Sequence, residues 1–236
     1  MLNKMCDNLR NAINNLNYDP SYLNYMSLNN AINNDKSLNE SRGITKIAIL
    51  RNFTIEPIIP ILTSELFMSG FNVDFYISDY DAIATSVLNS ESSFFDFSPD
   101  IIFLSQWIDL LSEKISTSIF RMSNEERENE ADRIFEQHLL FLKAIRSKTN
   151  APIIFNNFPL PEFTTLGIID QQNILSERDW YIKLNKRLQN LTKLISDTYC
   201  FNLEMIFNIV GIKNSFDKKK FESVKSPFTF SVMGPI

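Results

Sequence analysis

The stretch Ile44-Thr45-Lys46-Ile47-Ala48-Ile49-Leu50 runs straight into Arg51-Asn52-Phe53-Thr54, and then into Ile55, Ile58, Ile59, Leu62, Leu66 and Phe67 at helical spacing. The opening run is short and rich in β-branched residues, as in a strand buried on both faces of a parallel sheet. The hydrophobic period then changes from that of a strand to that of a helix. Thr54 is the expected N-cap of this helix, and Pro57 is tolerated in its first turn. Gly70 closes the helix, and Phe71 to Ile77 (FNVDFYI) reads as a second strand. A strand, a crossover helix and a strand make a βαβ unit, so the two strands are expected to be parallel.

The same alternation continues outward. Pro99 precedes a third strand, Ile101 to Ser105 (IIFLS). A long helix is expected from about Asn124 to Lys148, with Ala131, Ile134, Phe135, His138, Phe141, Leu142 and Ile145 as its buried stripe. Pro152 to Asn156 (PIIFN) is a fourth strand, followed by a loop carrying Pro159 and Pro161. A helix over about Ser176 to Thr198 carries Trp180, Leu184, Leu188, Leu191 and Ile195. Tyr199 to Leu203 reads as a fifth strand, and Glu204 to Val210 as a short helix ended by Gly211. The expected fold is therefore α/β: a three-layer α/β/α sandwich on a five-stranded, mainly parallel, flavodoxin-like sheet.

Residues 1–42 differ from the rest. Twelve of the first 40 residues are asparagine, and Leu2, Met5, Leu9, Ile13 and Leu16 recur at helical spacing until Asp19-Pro20. Tyr22, Leu23, Tyr25, Met26 and Leu28 suggest a second short helix. The expected organisation is a helical N-terminal arm over 1–42 and an α/β domain over 43–236. Phe221 to Ile236 shows no clear period and reads as a cut inside a longer chain or as a natural terminus.

Composition narrows the function. At 236 residues, 44% hydrophobic and with 20 phenylalanines, the chain can bury a substantial core. A net charge of −5 gives no basic face for nucleic acid. Lys213, Lys218, Lys219 and Lys220 are interrupted by Asp217 and Glu222 and read as solvated surface. Cys6 and Cys200 form no metal-ligand or redox spacing and suit a reducing compartment. No signal peptide and no membrane-length apolar run is present, so a cytoplasmic, soluble protein without a membrane partner is expected.

Ligands of open α/β sheets bind beyond the carboxyl ends of the strands. That rule selects Arg51-Asn52-Phe53-Thr54, Ser78-Asp79-Tyr80-Asp81, Ser105-Gln106-Trp107 and Asn156-Asn157-Phe158. Their amides can donate to a carbonyl or an oxyanion without titrating. The same amides can instead cap strand ends and helix starts. The turn after the first strand has no glycine, which removes Rossmann and P-loop phosphate cradles. Asp79 and Asp81 have the Asp-x-Asp spacing of a haloacid-dehalogenase phosphatase but follow the second strand, lack the next Thr, and read as a solvated turn. No metal site and no cofactor is expected. A serine hydrolase needs a nucleophile, a base and an orienting group. Thr54 and Ser105 are the available hydroxyls, whereas His138, the one histidine, reads as a packed core residue and Cys200 as a buried strand residue.

Several of these segments resemble, in order, the N-terminal domain of FkbH-like proteins. They are Ile47 to Thr54 with Pro57 and Gly70, and Tyr80-Asp81 with Ser92 to Asp100. Asn156-Asn157-Phe158-Pro159 with Gly167 follows, then Arg187-Leu188, Val210-Gly211 and Phe216-Asp217. The resemblance covers about residues 44 to 233. It implies an SGNH-hydrolase-like domain ahead of a haloacid-dehalogenase-type domain, in a family of which some members load a glyceryl unit from a phosphorylated glycerate onto an acyl carrier protein and others belong to polysaccharide or polyketide pathways. Against the SGNH pattern, the Gly-Asp-Ser block falls on Arg51 to Thr54 without a serine, and the Asp-x-x-His block has no counterpart. The oxyanion Asn falls on Asn156-Asn157.

Three functions follow as expectations. A binding module would hold an acyl or glyceryl group, an acyl-carrier-protein arm or the neighbouring phosphatase-type domain, with Thr54, Asn156, Asn52, Ser105, Gln106 and Asn157 around its pocket. An active esterase or acyltransferase would use Thr54 or Ser105 with an unconventional base. A structural platform would use none of them.

Overall fold

Ile44–Arg51 (β1) lies between Asn72–Ile77 (β2) and Ile101–Ser105 (β3), and Ile153–Asn156 (β4) and Thr198–Phe201 (β5) extend the sheet in the order β2-β1-β3-β4-β5. Every neighbouring pair is parallel, with Ile47 opposite both Phe75 and Ile101, and Phe155 opposite Cys200. A computed structural model describes residues 7–35 and 43–234. This order reverses between β1 and β3, which makes the β1/β3 end the switch point of the sheet.

Side chains alternate across the sheet, so each strand feeds two cores. On one face Ala48, Leu50, Ile102, Leu104, Ile153 and Phe155 are buried under Ile83–Leu88, Asn124–Arg146 and Glu177–Gln189. On the other, Ile47 and Ile49 are buried with residues of the chain's two ends, as detailed below. The expected three-layer α/β/α sandwich is thus present, with a helical region at its N-terminal side.

The elements used below are numbered along the chain. The arm holds α1 (Asp7–Tyr18) and α2 (Tyr22–Asn34); Ile59–Met68 is α3 and Ile83–Leu88 is α4. The long Asn124–Arg146 is α5, Glu177–Gln189 is α6, Leu203–Val210 is α7, Lys218–Val224 is α8 and Phe230–Met233 is α9. A capping box starts α5: Ser123 Oγ accepts from Glu126 N at 3.2 Å while Glu126 accepts from Ser123 N at 2.7 Å. Its stripe, Ala131, Ile134, His138, Phe141, Leu142 and Ile145, is buried as the spacing requires.

Several local expectations shift. Thr54 does not cap a helix. Ile55 precedes a 3-10 turn, Glu56–Ile58, which leads into α3, and the Thr54 hydroxyl donates to the Val224 carbonyl instead. The helix expected to reach Thr198 breaks at Asn190, and the short Leu191–Leu194 helix precedes β5. The polar link between β2 and β3 holds α4 and a single turn, Ser93–Asp96. The aperiodic tail folds as α8, an extended return and α9, with Phe228, Val232 and Met233 buried. Leu2, Met5 and Cys6 of the arm, the connection 36–42, and Pro235-Ile236 lie outside the described residues.

Candidate functional site

At the carboxyl ends of the strands, asparagine side chains close reciprocal pairs with the backbone of the next strand. Asn52, 1% exposed, accepts from Trp107 N at 2.7 Å and donates to Trp107 O at 3.1 Å, tying β1 to the end of β3. Asn156 accepts from Gln106 N at 2.9 Å and donates to Gln106 O and Asn157 O, both at 2.9 Å, tying β4 to β3. Asn157 donates to Asn202 Oδ1 at 2.9 Å and accepts from Glu204 N at 3.0 Å, which fixes the start of α7. Asn185 of α6 closes the same kind of pair on Phe158, accepting at 2.9 Å and donating at 2.7 Å. Asn52, Asn156 and Asn185 each match one backbone N–H and one backbone C=O, of Trp107, Gln106 and Phe158, just beyond the strand ends, whereas Asn157 joins a side chain and a helix start.

Arg51 performs the corresponding task between β1 and β2. Its Nε donates to Ser78 O at 3.1 Å, and its two terminal nitrogens hold Glu56 at 3.2 and 2.6 Å. The first-strand turn is therefore rigid and its polar groups are engaged. Both N–H bonds of Asn156 are spent as well, so it reaches an oxyanion only by releasing Gln106 or Asn157.

Beside this frame lies an apolar cavity of about 320 Å³. Ser105, Asn156 and Phe201, the last residues of β3, β4 and β5, form its strand-end wall, with Ile49, Phe103 and Ile154 behind them. Ile58, Ile61 and Leu62 line the helical side, and Phe53, Phe228 and Met233 close the top. Ser105 Oγ makes no hydrogen bond among the described residues. The polar lining is completed by Glu65, which accepts from Tyr25 OH at 2.6 Å. Partial burial, and then the Glu65 carboxylate, raise the Tyr25 hydroxyl to about 12, so it remains a donor.

Of the residues singled out in the sequence, Ser105 and Asn156 line the cavity. Asn52, Asn157, Thr54 and Gln106 frame it without lining it. Gln106 is 2% exposed, and its Oε1 has no hydrogen-bond partner. Strand alternation puts Gln106 with Ile102 and Leu104, on the opposite side of the sheet from Ser105. The apolar lining carries little signal in the sequence. Ile61 lay on a helix whose apolar face was legible, but Phe228 and Met233 sat in a tail with no period.

His138 lies on the far face. It is 1% exposed, packs edge-on against Phe155 and Phe158, and places Nδ1 2.8 Å from Ile134 O. Burial drives its pKa down to about 4 despite that bond, so it is a neutral core residue. Cys200 is partly buried, and desolvation pushes its thiol up to about 11, away from thiolate chemistry. Asp79 and Asp81 are exposed, as a solvated turn requires. Among the described residues no three His, Cys, Asp or Glu side chains are grouped to hold a metal ion. No helix among them is long and apolar enough to cross a membrane.

The fold and strand ends define a parallel α/β domain of flavodoxin-like order, with an amide-laced frame beside an apolar cavity at the carboxyl ends of its strands. The chain belongs to the FkbH N-terminal domain family, whose description, "FkbH, N-terminal domain", matches residues 46–235. It is similar in structure to the N-terminal part of a Bacteroides fragilis protein containing a phosphatase domain, complexed with Mg. The TM-score is 0.72 at 19% identity, over 89% of this chain and 53% of that one. The chain thus spans about half the length of the structure it matches. No curated protein matches it.

Proposed function

We propose that this domain is an acyl-binding module that holds the chain of an acyl group, presented on an acyl-carrier-protein arm, for a neighbouring phosphatase-type domain. The observation that carries the reading is the cavity: aliphatic and aromatic walls, with the free hydroxyl of Ser105 and the engaged amide of Asn156 at its strand-end wall. Ligand sites are apolar clefts with a few placed polar groups, and this one lies at the end of the sheet where such sites form. The apolar lining favours an acyl chain over a glyceryl unit, whose hydroxyls would be left unpaired there. Ser105 meets the carbonyl. Asn156 and Asn52 hold the strand ends in register, Thr54 and Asn157 stand at the rim, and Gln106, whose side chain lies on the other side of the sheet, anchors Asn156 through its backbone. A cytoplasmic location fits a carrier-borne substrate.

A decanoyl thioester titrated into the domain tests this reading. Binding without turnover, weakened by Ser105→Ala and by Asn156→Ala, is the expected result. Hydrolysis abolished by Ser105→Ala or Thr54→Ala would replace the binding module with an esterase. Unchanged binding of holo acyl carrier protein in Asn156→Ala would remove the carrier arm from the account.

A further inference from the structure

The one run of three consecutive cations in the chain, Lys218 to Lys220, lies beside the cavity. From Lys213 to Lys225 there are five lysines and two carboxylates, in a chain whose net charge is −5. Asp217 and Glu222 interrupt the run in sequence, but in the fold both are tied to α8 itself. Asp217 caps the helix, its Oδ1 accepting from Lys220 N at 3.0 Å, and Glu222 stands 3.9 Å from Lys218. Lys213, Lys219 and Lys220 make no ion pair among the described residues, and Lys213, Lys218, Lys219 and Lys225 are exposed.

Stability does not favour this placement. The first turn of α8 holds three lysines and no carboxylate, although cations at the start of a helix oppose its dipole. A local conflict of this kind marks a segment shaped by something other than its own stability.

The lysines are also fixed next to the cavity wall. Phe221 turns inward onto Trp107 and Phe216, at ring distances of 6.1 and 5.6 Å. At the end of α8, Thr54 N donates to Lys225 O at 2.9 Å and the Thr54 hydroxyl donates to Val224 O. Thr54 stands between Phe53 and Ile55, which both line the cavity. The helix is about 10 Å long, so Lys218 to Lys220 lie within roughly one helix length of that joint. Lys213 is held nearby, because Thr229 N, one residue after Phe228, donates to Ser215 O at 3.0 Å.

We infer that Lys213 and the lysines of α8 form the docking face for the carrier protein that presents the acyl group, with an acidic carrier surface as their complement. The inference rests on the acyl-binding reading and adds where the carrier sits. The apolar cavity recognises only the chain, whereas charged faces steer encounter and set orientation. An acidic protein is favoured over a nucleic acid or an anionic bilayer because the face is small and the rest of the chain is acidic, so an extended polyanion would be repelled around it.

The test follows stopped-flow association of a fluorescently labelled, decanoyl-loaded acyl carrier protein with three proteins. They are the parent chain, a variant with Lys213→Gln, Lys219→Gln and Lys220→Gln, and a control with Lys143→Gln, Lys148→Gln and Lys186→Gln. The control removes equal charge on the side of α5 and α6, and thermal melting confirms that each protein folds. At low salt the first variant should associate about tenfold more slowly than the parent, and the control within about twofold of it. Raising the salt should slow the parent toward the first variant. The decanoyl thioester of a small uncharged thiol should bind all three alike. Equal carrier association in the parent and the first variant, equal slowing in the control, or salt-independent association of the parent would each overturn the docking face. So would loss of phosphatidylserine-vesicle binding in the first variant with carrier association unchanged, which would assign the lysines to a membrane surface. A parent that binds the free thioester but no carrier would overturn the docking face and leave the acyl-binding reading intact. Lysine-dependent carrier association without any binding of the free thioester would support the face and overturn the acyl-binding reading.

Discussion

The two faces of one sheet are built differently. Over Leu50, Ile102 and Leu104, two long amphipathic helices, α5 and α6, lay down continuous stripes, and residues such as Ile134, Leu142, Leu184 and Leu188 are 0% exposed. Over Ile47, Ile49 and Phe103, the cover is assembled from the arm, α3, α7, α8 and α9, mostly short pieces from both ends of the chain. Long helices can match a sheet face turn by turn, and they leave that side close-packed. Short pieces meet at angles, and here they leave about 320 Å³ between them. The lone histidine went to the packed face and the ligand-sized space to the assembled one. Close packing and open space are thereby divided between the two sides of the same strands.

Truncation should separate the faces most strongly. Leu142→Ala on the packed face should cost about 4 kcal/mol, against about 2 kcal/mol for Ile61→Ala, whose site already borders empty space. Urea unfolding of the two variants measures the difference, and equal losses would break the contrast.

Next comes pH. His138 is held neutral with a folded pKa of about 4, below its unfolded value, so the native state resists protonation. Its contribution is complete above pH about 6.5 and is lost as pH falls toward 4, by roughly 3 kcal/mol. His138→Leu should flatten that limb of the stability curve, measured by chemical unfolding from pH 4 to 7.

The frame between the faces is predicted to matter somewhat less. Asn52→Ala strands the buried N–H of Trp107, while the Trp107 carbonyl keeps Leu110 N, and should cost about 1–3 kcal/mol. The loss should be accompanied by a shift in tryptophan emission, since Trp107 stacks on Phe216 at 5.6 Å and 6°. An unshifted spectrum with full stability would show that the pair is incidental.

Overpacking has the smallest effect and the sharpest contrast in sign. Ile154→Phe fills part of the cavity and should stabilise by about 1 kcal/mol, whereas Leu142→Phe in the packed core should destabilise by about 1–3 kcal/mol. Thermal melting of the two reads the sign.

Much of this was legible in the residues. Strands such as ITKIAIL and IIFLS announced a parallel sheet because burial on both faces leaves no polar alternation, and the stripe of α5 announced its packed face. The strand-end rule located Ser105 and Asn156 without a motif. Two things were not legible. The amides of Asn52, Asn156 and Asn157 find their partners, Trp107, Gln106 and Glu204, about 50 residues away, so only strand register reveals that they frame the site. The roof was hidden for a related reason: Phe228 and Met233 are buried singly, by tertiary contact in elements too short to show a period. Thr54 misled because a hydroxyl before a helix usually caps it, and here the returning tail claims it.

The most direct test of the account is calorimetric titration of the decanoyl thioester into the parent and into the double variant Ile61→Phe, Ile154→Phe. The account predicts binding with a negative heat-capacity change in the parent, the mark of apolar burial, and its loss in a variant that is at least as stable. Equal affinity in the two proteins would contradict it, because the ligand would then be bound somewhere other than the space between the sheet and its assembled roof.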